Sequence, residues 1–335
     1  MPKKSYRQAI NEAIDQEMGR DSRVVIIGED VAGGEGTTGD RDAYGGVMGV
    51  TKGLYHKYGK ERVIDTPITE SAIMGAAAGA ALTGLRPVAE LMFNDFMGVC
   101  FDQILNQAGK FRYMFGGKAR TPMVMRTMIG AGVQAAAQHS QSLYHHFTSV
   151  AGVKVAIPSS AYDAKGLLTQ AIRDDDPVMF FEHKLLYDLE EDVPDEPYTL
   201  PFGEANFVRE GDDVTIVAFS QMVNIAKQAA DLAEKEGVDV EILDPRTSSP
   251  LDEDSILESV ENTGRLIIVD ESPPRCGLAG DVAAMVAEKG FKDLKAPILQ
   301  ITPPHTPVPF APSLERAYLP DADKVLSAVK QVMAA

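Results

Sequence analysis

Short β-branched runs alternate along the chain with stretches in which apolar residues return every three or four positions. Ala9, Ile10, Ala13, Ile14 and Met18 form one such stripe, the spacing of a helix with one buried face. Val24-Val25-Ile26-Ile27 follows and ends in Gly28-Glu29-Asp30, a continuous apolar run that predicts a buried strand. A glycine-rich loop is expected over 31–49, then a short helix near Lys52–Tyr58 and a strand at Val63-Ile64. The pattern goes on to predict helices over Ser71–Thr83, Met97–Lys110 and Ala161–Arg173. Strands are expected at Pro87–Met92, Met123–Arg126, Val153–Ile157 and Val178–Phe181. A later series repeats the alternation, with strands at Val214–Phe219, Val238–Leu243 and Leu266–Val269 and helices over Val223–Lys235, Glu253–Glu261 and Leu278–Glu288. Such alternation specifies an α/β protein built on mostly parallel sheets.

Between the two series the composition changes. Residues 188–201 carry six acids, three prolines and no base, which predicts an exposed, extended linker. The boundaries are placed at 1–190 for a first domain, 191–202 for the linker and 203–335 for a second domain. The 335 residues suffice for two domains, at roughly 100–200 residues each. The net charge of −17 argues against nucleic acid or an anionic membrane as partner, because phosphate binding needs a basic footprint. It suits a solubilising surface or a basic protein partner. No run nears the roughly 18 apolar residues of a membrane span. The N-terminus has neither a signal peptide's apolar stretch nor a transit peptide's composition. Cys100 and Cys276 lie too far apart in sequence for a CxxC pair, which excludes disulfide scaffolds and thiolate zinc sites. The chain reads as cytoplasmic.

Common motifs fail. No GxGxxG or GxxxxGK[ST] is present, so dinucleotide and P-loop sites have no support. None of the six histidines makes a metal-ligand spacing. Gly75, Gly79 and Gly84 fall in the small-residue helix region, where close helix packing is the simplest reading. His139 sits in a small-residue loop after a strand, a place for acid/base work or for a plain backbone contact. Glu70 stands where a loop becomes an apolar helix. There it is either a half-buried functional carboxyl or an acid favoured by the helix dipole.

Asp65-Thr-Pro-Ile-Thr-Glu70 resembles a block of the beta subunits of thiamine-diphosphate-dependent acetoin and 2-oxoacid dehydrogenase complexes. The likeness continues through Gly84-Leu-Arg-Pro-Val, Glu90-Leu-Met-Phe-Asn-Asp-Phe96, Tyr113-Met-Phe-Gly-Gly117 and Gln138-His-Ser-Gln-Ser142. It reaches Asp244-Pro-Arg-Thr-Ser-Ser-Pro and Pro303-Pro-His-Thr-Pro in the second half. The resemblance implies two doubly wound α/β domains, a transketolase-like pyrimidine-binding domain and a transketolase C-terminal-like domain. It implies thiamine diphosphate as cofactor, with Glu70 on the aminopyrimidine nitrogen; Thr69 stands where the family has serine. By the same blocks Ile68, Met92 and Phe96 line the ring, Glu29 joins an acidic path between paired sites, and His139 faces substrate or the incoming lipoyl group.

The resemblance also implies a monovalent cation, possible K⁺, held mostly by backbone oxygens of Met123, Ala171, Ile172, Asp174 and Asp176. A helix end followed by solvated acids explains the same stretch. The family's diphosphate and Mg²⁺ block, Gly-Asp-Gly with a later asparagine, has no counterpart; Gly211-Asp-Asp and Gly280-Asp-Val are the nearest. Diphosphate and Mg²⁺ are therefore expected on an alpha subunit in an α₂β₂ heterotetramer that serves a lipoyl-bearing acyltransferase core. Residues 31–46 are longer than in pyruvate-type subunits by about ten residues, a weak pointer to acetoin because loops lengthen cheaply. Pyruvate or branched-chain 2-oxoacids are the alternative substrates, and a mainly structural docking subunit is the alternative of another class.

Overall fold

The computed structural model describes residues 1–33 and 45–335. Part of the glycine-rich loop expected over 31–49 thus lies outside the described residues. The chain forms two compact units: Met1–Ile129 with His146–Pro201, and Gly130–His145 with Phe202–Ala335.

In the first unit, parallel strands lie in the order Lys154–Ala156, Val178–His183, Val124–Ile129, Arg86–Phe93, Val24–Glu29 and Val63–Thr66. Both faces of such a sheet are covered, so its strands read as nearly unbroken apolar runs; Val178 to Phe181 are fully buried. The expected first helix is Tyr6–Arg20, started by a Ser5–Gln8 capping box. Its stripe Ala9, Ile10, Ala13, Ile14 and Met18 is buried, and the helix packs on Ala161–Arg173. The latter is capped by Ser160, which accepts from the Asp163 amide.

Two expectations are corrected. The single helix expected over Met97–Lys110 follows a 3₁₀ turn, Asn94–Phe96, and divides into an α-helix Met97–Asp102 and a π-helical stretch Gln103–Ala108. The wider turn closes with the Gly109 amide donating to Ile104 O at 3.0 Å, and it brings the Gln103 amide against Gly75, where a methyl would sit 2.9 Å away. The exposed linker is instead laid onto the first unit. Glu190–Asp192 pairs antiparallel with Lys3–Ser5, and Val193 is fully buried. Lys165 donates to Pro194 O at 2.5 Å and Asp195 O at 3.1 Å, while Tyr198 stacks on Tyr162 at 4.7 Å. The acids that suggested a solvated tether find partners: Asp195 with Lys4 at 2.7 Å, Asp188 with Arg7 at 2.8 Å and Glu191 with the Ala161 amide at 2.6 Å.

The second unit carries strands in the order Leu299–Ile301, Leu266–Val269, Val214–Ala218, Val240–Asp244 and Asn206–Arg209. The last is antiparallel and the others parallel. Ile216, Ile242, Ile267 and Val269 share its core with Val223, Ala226, Val325 and Val329. Among the described residues no helix is long and apolar enough to cross a membrane.

Candidate active site

Three adjacent parallel strands of the first unit bring the five residues expected around the cofactor ring to one edge. Glu29 ends Val24–Glu29 and lies in register with Thr66, the last residue of Val63–Thr66. The chain then turns through Pro67, Ile68 and Thr69, and Glu70 opens the helix Glu70–Leu82. On the other side of Val24–Glu29, the strand Arg86–Phe93 carries Met92 as its penultimate residue, and Phe96 follows in the 3₁₀ turn. The carboxyl ends of parallel strands are where α/β sheets present ligand-binding groups.

Glu70 is half-buried, and among the described residues no hydrogen bond or ion pair takes its carboxylate. A helix start favours its negative charge. The Glu29 carboxyl beside it is pushed up, first by burial and then by Asp30 and Glu70. The Cys100 thiol is pushed up to about 12, again by burial and then by Glu70, so it stays a protonated, inert neighbour. Asp65 Oδ1 accepts from the Ala32 amide at 2.5 Å and pins the turn, while Ser71 Oγ donates to Val99 O and ties the helix start to the next helix. The Thr66 hydroxyl is buried without a hydrogen-bond partner among the described residues. Met92 and Phe96 are half-buried, with Phe96 edge-on to Phe93 at 5.6 Å, and Ile68 is 76% exposed. An unengaged carboxylate, an orphaned hydroxyl and apolar side chains at one strand edge fit a flat, nitrogen-bearing ring.

Sequence reasoning missed the charge buried behind this edge. Arg126, 2% exposed, donates to both oxygens of Glu182 at 2.6 and 2.8 Å and to Glu90 at 3.0 Å. Tyr187 donates to Glu182 at 2.8 Å. Two carboxylates on one guanidinium leave a surplus negative charge, and burial drives the Glu90 carboxyl upward. The signal was there: single charges interrupt otherwise apolar strands.

His139 belongs to the second unit, on the stretch Gly130–His145. This stretch is built from unusual backbone, with positive φ at Gly130, Gly132, Gln134 and Ala136. Glu271 Oε1 accepts from the Ala131 amide at 2.7 Å and from Ser142 Oγ at 3.4 Å. Glu315 accepts from the Gly132 amide at 2.8 Å and the Gln134 amide at 3.1 Å. Tyr144 donates to Asp270, which also accepts from the amides of Ser272 and Ala279. His139 is half-buried, and the neighbouring Ser140 hydroxyl is buried without a hydrogen-bond partner among the described residues.

The residues named for a monovalent cation gather in one corner of the first unit. Arg86 donates to Ile172 O at 3.0 Å and Asp174 O at 2.8 Å, and Met123 O accepts from the Val178 amide at 3.0 Å. Ala171 O accepts from the Asp174 amide, and the carboxylates of Asp174 and Asp176 pair with Lys154 and Arg112. Each carbonyl keeps a second lone pair, so oxygen donors remain, although basic side chains already neutralise the acids. Of the two Gly-Asp sequences named above, Gly280-Asp281 lies inside the helix Leu278–Lys289. A methyl on Gly211 would strike the Val240 carbonyl carbon at 2.4 Å. Packing accounts for Gly211, whereas Gly280 lies in a regular helix turn with open space at its Cβ position.

Comparison with known proteins adds identity to this geometry. Residues 2–190 match the family described as transketolase, pyrimidine binding domain, and residues 203–325 match transketolase, C-terminal domain. The beta subunit of acetoin:2,6-dichlorophenolindophenol oxidoreductase from Cupriavidus necator is 61% identical, covering 99% of this chain and 98% of the relative. Its Bacillus subtilis counterpart is 57% identical over 98% of this chain and 97% of the relative. The 2-oxoisovalerate dehydrogenase beta subunit of Bacillus subtilis is 43% identical over 98% of both chains. A solved split-gene transketolase, an inactive beta4 tetramer, superposes with a TM-score of 0.79 over 98% of both chains at 22% identity, a likeness of fold.

Proposed function

The chain belongs to the transketolase-like beta subunits of acetoin and 2-oxoacid dehydrogenases, and from that premise we propose that it is the beta half of a thiamine-diphosphate-dependent acetoin dehydrogenase. The reaction cleaves acetoin to acetaldehyde and transfers the acetyl fragment to the lipoamide disulfide of an acyltransferase partner, leaving acetyl-dihydrolipoamide. Thiamine diphosphate, when bound, supplies the nucleophilic carbon and holds the electron pair released by carbon–carbon cleavage.

The protein groups do the rest. Glu70 hydrogen-bonds the aminopyrimidine nitrogen and moves a proton there. Glu29, raised by burial and by its acidic neighbours, passes protons to and from Glu70. Met92, Phe96 and Ile68 wall the ring and keep water away. His139 holds or delivers a proton on the substrate side. Diphosphate and Mg²⁺ are assigned to an alpha subunit in an α₂β₂ assembly, K⁺ to the corner around Asp174 and Asp176, and the whole to the cytoplasm. The acetoin relatives at 57–61% identity support acetoin over 2-oxoacids, whose subunits stand at 42–44%.

One observation carries the reading: the unengaged Glu70 carboxylate at a helix start beside Glu29. In the assembled alpha–beta pair, Glu70→Gln is expected to slow hydrogen–deuterium exchange at the cofactor's reactive carbon by at least about 10²-fold. Wild-type exchange in a correctly assembled variant overturns the catalytic role. Assayed with acetoin, pyruvate and 3-methyl-2-oxobutanoate, the wild type should turn over acetoin fastest.

A further inference from the structure

We propose that Glu315 and Glu271 are positioning residues for His139, a pair of carboxylates that clamps its loop. The proposal rests on the reading of His139 as a group acting on the substrate side. No helix or strand orders the chain from Gly130 to Leu143. Yet its backbone holds a demanding shape: Gln134 and Ala136 have φ near +60°, which side chains other than glycine's rarely adopt. Something outside the stretch must over-determine that shape.

The carboxylates do so. Three amides of the loop, those of Ala131, Gly132 and Gln134, donate to Glu271 and Glu315. Both glutamates are nearly fully buried, at 5% and 3% exposure, and are anchored elsewhere in the unit. Glu271 follows the strand Leu266–Val269, and Glu315 lies on the helix Pro312–Tyr318. Glu271 also takes the Ser142 hydroxyl, so the loop is gripped on both sides of His139. Anionic acceptors make stronger, shorter hydrogen bonds than neutral ones. Their burial limits competition from solvent for these bonds. A loop held this way presents its histidine in one place, as a proton-transfer group requires.

The test uses the assembled holoenzyme and reads cofactor exchange and lipoamide acetylation from acetoin separately. Glu315→Ala is expected to lower the acetylation kcat by about 10–100-fold, the cost of a group displaced by an ångström, with exchange at the cofactor's reactive carbon within twofold of wild type. Glu315→Gln, which keeps an acceptor oxygen, should recover most of that loss. In a His139→Ala background, Glu315→Ala should cost nothing further, because the clamp acts through the histidine. Full turnover in Glu315→Ala while His139→Ala is impaired overturns the clamp and leaves the function reading standing. Independent, multiplicative losses overturn it equally. A fully active His139→Ala instead removes the reading on which the clamp depends. Should the alanine variant fail to assemble, Glu315→Asp, shorter by one methylene, carries the same expectation.

Discussion

Glu70 opens a regular helix whose preceding strand is paired with its neighbour from Val63 to Thr66. His139 instead sits in irregular chain whose amides are tied to carboxylates 140 and 183 residues further on. Both are half-buried and both are assigned proton work, yet one is placed by repeating backbone geometry and the other by single side chains. Regular elements share a displacement among many bonds, so Glu70 moves only if the sheet edge moves. The loop is tied through amides to buried side chains and not by a repeating ladder, so a small change there alters position before it alters the fold. Damage near Glu70 should therefore appear as lost stability, and damage near His139 as lost rate.

Arg126→Met is the largest test of that contrast. It strips the shared cation from Glu90 and Glu182 in the first unit's sheet. The expected loss is about 3–5 kcal/mol, the usual cost of stranding buried charge, read by urea unfolding. A variant within about 1 kcal/mol of wild type would contradict the view that the regular region fails globally. Gly132→Ala probes the other side. A side chain at φ +108° strains the loop, at a cost of about 1–2 kcal/mol. Turnover is expected to fall about tenfold through displacement of His139, out of proportion to the small drop in melting temperature. Unchanged turnover together with the expected stability loss would break the comparison.

The smallest effect is expected at the surface of the regular unit. Arg23 grips Asp21 through both carboxylate oxygens and holds its carboxyl down to about 2. A depressed carboxyl stabilises the fold above its unfolded value near 4 and loses that contribution as pH falls through 2. Asp21→Asn should therefore cost at most about 1 kcal/mol at neutral pH. The gap between the two proteins should close between pH 4 and pH 2 in acid-unfolding curves.

The same contrast explains what could be read in the sequence. The stripe of Tyr6–Arg20 and the helix Ala161–Arg173 were legible because apolar spacing is a local signal. The place of Glu70 at a loop-to-helix junction was legible for the same reason, while its role came from the family resemblance and not from any local pattern. Glu271 and Glu315 were not, since their partners are backbone amides more than a hundred residues away and no pattern marks an amide's destination. Arg126 went unread because a charge inside a strand acquires meaning only from the neighbouring strands. The acidic stretch 188–201 misled in the opposite direction: its composition describes a tether, while Lys4, Arg7 and Lys165 turn it into a strap.

The second unit draws Gly130–His145 out of the middle of the first and completes itself only beyond Pro201. Modularity in evolution usually means that a breakpoint between domains leaves two intact inheritances. Here no single breakpoint does. A recombination at the compositional break near 190 would pass on a histidine loop from one parent and its carboxylates from another. Glu271 and Glu315 must then be inherited with the loop they grip, or the chimera keeps both folds and forfeits the histidine's aim.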